Sequence, residues 1–221
     1  MSRIVVFGAS GHAKVVLDII KRMGQHEVVG IIDGSRAGSP TAILNQRILG
    51  CDNDLPKIVS DFAVDCGIVA VGDNYLRSMI HRKIEGLCPG FKFGTAIHPG
   101  AYWAEDVIIG EGSVVMAGAV LNSGSKIGRS CILNTNCSLD HDSQMEDFSS
   151  FAPGVSGGGN VTVGTCSAVS IGAIIKHGVR IGEHAVVGAG AIVMRDIPPF
   201  TVSYGQPCRF VRDRIAGERY L

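Results

Sequence analysis

From Ile97 to Pro198 the sequence repeats every six residues without insertion or deletion. Seventeen hexads, opening IHPGAY, WAEDVI, IGEGSV and closing VGAGAI, VMRDIP, keep a single register. The first position is a large apolar residue in all but one, the hexad that begins at Gly157. The fifth is mostly Ala, Ser, Cys or Val, and the fourth is often Gly, Asp or Asn, as a turn requires. A helix cannot hold a period of six on one face, and a plain strand repeats at two. An internal repeat of this length is the signature of a parallel β-helix. Three short strands and three corners form a coil of about eighteen residues, and coils stack about 4.8 Å apart, the strand spacing of a sheet. Residues eighteen apart in sequence therefore lie one above another.

The N-terminal part reads differently. RIVVFG (3–8), EVVGIID (27–33) and CGIVAVG (66–72) are apolar, β-rich runs, while GHAKVVLDIIKRMG (11–24) and NYLRSMIHRKIEGL (74–87) carry apolar residues at helical spacing. Alternating strands and helices imply a small parallel sheet with ligands at the carboxyl ends of its strands. The expected organisation is an α/β, Rossmann-like parallel-sheet domain over 1–93 and a β-helix over 94–211. Residues 212–221 form a C-terminal tail, for which a helix is one expectation.

Formal net charge is zero and no basic block stands out, which argues against a nucleic-acid partner. No apolar run approaches the length of a membrane span, and the N-terminus lacks the pattern of a signal peptide. The seven cysteines are scattered without a CxxC. Cys131 and Cys137 fall at fifth positions and are expected in the interior. A cytoplasmic, reduced protein is the expectation.

Within the repeats, SLDHDSQMED (138–147) sets one histidine between two aspartates. His141 and Asp142 occupy the third and fourth places of their hexad, hence a corner, in a column with Ser123, Gly159 and His177. The hexad without its apolar residue belongs to SGGGN (156–160), one coil above. Rules of a fold tend to be broken where something else must fit. Bare backbone beside a histidine offers room for a reactant and an N–H for a developing oxyanion. The simpler reading is a bulge tolerated by glycine. A histidine titrating near pH 6.5 suits proton abstraction at neutral pH, and a carboxylate on its other nitrogen would fix the tautomer. Asp140 and Asp142 are both candidates for that carboxylate.

With these features the sequence resembles the left-handed β-helix (hexapeptide-repeat) acyltransferases. More narrowly, it resembles bacterial N-acetyltransferases of nucleotide-linked 4-amino-4,6-dideoxy sugars, of the bacillosamine and perosamine type, across essentially the whole chain. The resemblance implies the left hand of the helix, a homotrimer with sites between subunits, acetyl-CoA as co-substrate without a metal, and a place in surface polysaccharide or glycan biosynthesis. It implies His141 as base, Asp142 as its acid partner (glutamate in several members) and Gly159 N–H as oxyanion donor. It also implies that Ile171 and Ala189 line the pantetheine channel and that Gly205 and Pro207, in VSYGQPCRFVR (202–212), turn near the CoA end. Some members carry a second active-site histidine where this chain has Ser150.

In the first domain, GASGHAK (8–14) joins a strand to a helix, and a helix N-terminus preceded by glycines suits a phosphate. A redox dinucleotide reading is weakened by the G-x-x-G spacing and by the short domain. The resemblance implies instead that Ser10, Gly11, His12, Asp33, Asp73 and Asn74 surround the nucleotide of the sugar substrate. For Arg77, phosphate binding and a solvated helix position are equally open. Two rivals remain. A zinc enzyme on the same solenoid would need three histidines, yet His141 and His177 stand two coils apart, about 10 Å by the stacking distance. The related sialic-acid O-acetyltransferases share the two-part layout and a similar histidine corner, and a histidine can deprotonate either an amine or a hydroxyl.

Overall fold

The computed structural model describes residues 1–36 and 43–220. The chain divides into two compact units, one of residues Met1–Gly72 with Leu76–Pro99, the other of Gly100–Leu221 with Asp73–Tyr75. No described helix is long and apolar enough to cross a membrane.

The first unit is built on five parallel strands: β1 (Ser2–Phe7), β2 (His26–Ile32), β3 (Ile48–Gly50), β4 (Cys66–Val69) and β5 (Lys92–Phe93), ordered β3-β2-β1-β4-β5. The three longer runs expected from sequence are β1, β2 and β4. The two edge strands were not anticipated, because segments of three and two residues show no period. Helix α1 (Gly11–Met23) buries Ala13, Val16, Leu17, Ile19 and Ile20, and ends where Gly24 enters the left-handed region at φ 67°. Helix α2 (Leu55–Phe62) also escaped the sequence reading; its eight residues bury only Leu55 and Ile58. Helix α3 spans Asn74–Leu87, the expected range. Val5, Phe7, Ile32, Leu55, Ile58, Val69, Ile84 and Phe93 form the core. Fully burying a side chain of this size contributes about 1.5–3 kcal/mol.

The second unit is a parallel β-helix of two-residue strands. Every strand joins the sixth residue of one hexad to the first of the next, as in Val120–Leu121, Ser138–Leu139 and Ser156–Gly157. The register is the expected eighteen: Leu121 pairs with Leu139, Leu139 with Gly157, Gly157 with Ile175 and Ile175 with Val193. First-position residues from Leu121 to Val193 are buried, and so are the small fifth-position residues, including Cys131 and Cys137 at 0% exposure. Burial drives the Cys137 thiol up to about 12, so it behaves as an apolar core atom. Fourth positions turn the corner in the left-handed region, among them Asn136, Asp142 and Asn160 at φ 56°, 56° and 55°. Asp and Asn tolerate that conformation better than most residues.

The solenoid closes on an antiparallel hairpin of Thr201–Gly205 and Cys208–Asp213. The helix expected in the tail is not there. The hairpin strand runs on to Asp213, and a turn follows at Ala216–Gly217.

Candidate active site

The corner column 123, 141, 159, 177 is continuous. Asp142 N–H donates to Ser123 O at 3.0 Å, Asn160 N–H to His141 O at 2.9 Å and Gly178 N–H to Gly159 O at 2.9 Å. His141 Nδ1 and Asp142 Oδ2 are 2.8 Å apart. Asp140 turns away from the ring, and its Oδ1 accepts the backbone N–H of His141 at 2.9 Å and the Asn122 amide at 2.7 Å. Asp142 is thus the carboxylate on the imidazole, while Asp140 holds the backbone of the corner. That pairing leaves Nδ1 as the donor and Nε2 as the free lone pair.

Hydrogen bonding to Asp142 raises the His141 pKa above its ordinary value, with the Asp140 charge adding to the effect. The Asn122 amide and the His141 N–H hold Asp140 below the usual carboxylate range, so it stays ionised. Both members of the dyad are open to solvent, with side chains 49% and 64% exposed.

Glycines shape the space around the dyad. A Cβ on Gly159 would stand 2.6 Å from His141 Nε2, so the bare α-carbon lies over the free nitrogen. Among the described residues, the N–H of this buried glycine meets no acceptor, and a buried donor without a partner is unusual in a folded chain. One coil below, a Cβ on Gly124 would come within 2.5 Å of Asp142 Oδ1. Asn122 and Gly124 were missed from sequence, although subtracting eighteen from Asp140 and Asp142 points at both.

The rings of His141 and His177 lie 6.2 Å apart, centroid to centroid, at an angle of 48°. This is closer than the two-coil estimate of about 10 Å, because the residue between them has no side chain and the rings lean together. Among the described residues no group of three or more His, Cys, Asp or Glu side chains could hold a metal ion.

Ile171 and Ala189 form a second exposed corner column, joined by Gly190 N–H to Ile171 O at 2.8 Å. Gln206, between Gly205 and Pro207, donates to Gly190 O at 2.8 Å, which brings the hairpin turn to the top of that column. This corner is not the His141 corner: the two flank one face of the prism, whose outward residues include Tyr102, Val120, Ile174 and Ile192. Ser150 lies on a different face and accepts a hydrogen bond from the Asn74 amide at 2.9 Å.

In the first unit, Gly8 turns the chain at φ 101°, where a Cβ would meet Val71 Cγ2 at 3.0 Å and Ala70 O at 3.1 Å. Ser10 then caps α1 in an extended conformation, with no side-chain bond to the helix. A cavity of about 370 Å³ opens here, lined by Ala9, Ser10, Gly11, Lys14, Arg36, Ile43 and Leu44. Two cations thus join the helix N-terminus, and neither was singled out from sequence. Asp33 follows β2 directly, with its carboxylate already accepting the N–H and hydroxyl of Ser35, at 2.9 and 2.6 Å.

Three expectations in this region change. His12 turns inward: its Nε2 is buried with no partner among the described residues, and burial, helped by the Arg77 charge, lowers its pKa to about 4. Asn74 is fully buried, its amide spent on Ser150 Oγ and Ser167 O, both at 2.9 Å, so it is not free to face a nucleotide. Arg77 is only 1% exposed and donates to Val71 O and Gly72 O, which excludes a solvated helix position. Asp73 is half-buried ahead of α3.

The PglD N-terminal domain family matches residues 3–84. PerB from Caulobacter crescentus, in complex with CoA and GDP-perosamine, is 34% identical over 96% of this chain and 98% of its own, with a TM-score of 0.89. The chain belongs to the hexapeptide-repeat bacterial sugar N-acetyltransferases. It is an acyltransferase whose class uses acetyl-CoA as co-substrate, and its β-helix is left-handed. The acetyltransferase domain of PglB from Neisseria gonorrhoeae FA1090, in complex with acetyl coenzyme A, has the same two-part fold at 31% identity and a TM-score of 0.85, with 95% of this chain and 98% of that one covered. Some matches are partial. The chain spans 41% of a putative acetyltransferase of Schizosaccharomyces pombe, C18B11.09c, at 35% identity over 85 residues, which is 38% of this chain.

Proposed function

We propose that the protein transfers the acetyl group of acetyl-CoA to the 4-amino group of a nucleotide-linked 4-amino-4,6-dideoxy sugar, with His141 as general base. The carrying observation is the free Nε2 of His141 lying beneath Gly159 while Asp142 holds Nδ1 at 2.8 Å. The sugar nitrogen attacks the thioester carbonyl and its proton passes to Nε2. The tetrahedral oxyanion accepts the Gly159 N–H, the C–S bond breaks, and the proton moves on to the departing thiolate. Products are the acetamido sugar and CoA.

The Lys14–Arg36 cavity at the start of α1 suits the pyrophosphate of a nucleotide sugar. GDP-perosamine, held by the Caulobacter relative, makes a GDP-linked sugar the first substrate to try. The Ile171–Ala189 corner would carry pantetheine, and the His141 corner the acceptor. These corners flank a face that exposes Tyr102 at 63% and Ile174 at 50% beside Ser138 and Ser156, whereas the neighbouring face presents Lys126, Gln144 and Arg180 along with Ile108. Burying the apolar face between three copies would set one subunit's His141 corner against the next subunit's Ile171 corner, which supports a homotrimer with shared sites. The acetyl-CoA and nucleotide-sugar pools make the cytoplasm the site of reaction, and the acetamido sugar suits later glycan assembly.

The test is free-thiol release from acetyl-CoA against GDP-, UDP- and dTDP-linked 4-amino-4,6-dideoxy sugars, with sialic acid beside them. Turnover of one amino sugar, lost by roughly a hundredfold or more in His141→Ala, is the expected result. Turnover of sialic acid alone would overturn the acceptor. An undiminished rate in the variant would overturn the base.

A further inference from the structure

We propose that His177 is a specificity-determining residue of this site, accepting the second N–H of the acceptor amine and so selecting an amine over a hydroxyl. This rests on the acetyl-transfer reading above and adds to it the chemical class of the attacking group.

The position of the ring carries the inference. His177 stands on the exposed corner two coils above His141, with only Gly159 between them in the column. Because Nε2 is the His141 atom nearest the missing Cβ of Gly159, with Cε1 and Cδ2 only slightly farther, the bare glycine leaves the ring face at Nε2 open toward the space that His177 borders. The ring centroids are 6.2 Å apart. Two hydrogen bonds of about 2.9 Å that diverge at roughly the tetrahedral angle of an amine place their acceptors about 4.7 Å apart, inside the separation of the ring centroids, so one nitrogen can serve both imidazoles when a nitrogen of each turns toward it. Glycine at 159 keeps the gap open.

A neutral imidazole has one acceptor nitrogen. A primary amine carries two N–H groups and can donate to both rings, leaving its lone pair aimed at the carbonyl. A hydroxyl has one hydrogen and satisfies only His141. In the reaction N–C forms and C–S breaks; the proton leaves through His141, while His177 keeps a hydrogen bond and takes no proton. A site built to bind a donor discriminates against an analogue that lacks it.

The experiment uses the full-length protein with acetyl-CoA and two acceptors, GDP-linked 4-amino-4,6-dideoxymannose and the GDP-linked 6-deoxyhexose bearing a hydroxyl at C4. His177→Phe keeps a ring and removes the acceptor; His177→Gln restores one. The expected result is a fall in kcat/KM for the amine of roughly tenfold or more in His177→Phe, a smaller fall in His177→Gln, and unchanged KM for acetyl-CoA and Tm. An amine kcat/KM within twofold of wild type in His177→Phe, or equal losses in both variants, would overturn the inference while leaving the acetyl-transfer reading intact. Wild-type protein that acetylates only the hydroxyl acceptor would overturn both.

Discussion

The α-carbon of Gly159 lies directly over the imidazole of His141, so close that a Cβ there would stand 2.6 Å from Nε2. Any side chain at 159 presses on the ring face at Nε2 and fills the gap above it. Gly159→Ala is expected to lower acetyl transfer by roughly a hundredfold, on the scale of losing one oxyanion donor or a general base. The imidazole can swing outward, so Tm should change little. Steady-state rates and a thermal melt on the same preparation check this; a rate within threefold of wild type would show that the space is not used.

The Asp142 hydrogen bond and the Asp140 charge both raise the pKa of His141. A base must be neutral, so kcat/KM should climb as pH rises through this elevated pKa. Asp142→Asn removes the largest cause, so the acidic limb should move to lower pH while the plateau falls roughly tenfold or more with the loss of the tautomer-fixing partner. A limb that stays in place would assign the titration to another group. The same shift favours the folded state below the unfolded pKa of histidine, and that contribution is lost as pH rises through the folded value.

Lys14 and Arg36 line the cavity at the start of α1. Replacing either by alanine should raise KM for the nucleotide sugar by roughly tenfold, more at low salt than at high, because exposed charges are screened. KM for acetyl-CoA should not move. Titration of the protein with GDP alone gives an independent reading, and equal affinity in wild type and Lys14→Ala would remove that residue from the site.

Asn74 is buried with its amide divided between Ser150 Oγ and Ser167 O. Truncation strands both acceptors, at a cost of about 1–3 kcal/mol each if water cannot replace the amide. Chemical denaturation of Asn74→Ala should show this loss, with GDP affinity of the folded protein unchanged. Weaker GDP binding at full stability would instead return Asn74 to the nucleotide site.

Ser150 bears on the same point. Its hydroxyl accepts the Asn74 amide at 2.9 Å on a face away from His141. Within the chain it belongs to the structure that holds Asn74.

Sequence by itself determined the solenoid, the corner and the column. A hexad writes its inside and outside positions locally, and stacking turns an eighteen-residue count into a neighbour, so Leu139 over Leu121 and Gly159 over His141 were legible in the sequence. The long strands and two helices of the first unit were legible for the same reason, whereas β3, β5 and α2 are too short to show a period. Tertiary structure alone decided which aspartate holds the imidazole, because Asp140 and Asp142 differ only in which way each side chain turns at the corner. It also decided that Asn74, Arg77 and His12 face inward. The partners of Asn74 lie on other segments, as Ser167 does, and no period relates such pairs. Patterning specifies position along a repeat; the direction of a polar side chain is set by whichever donors and acceptors the fold brings within reach.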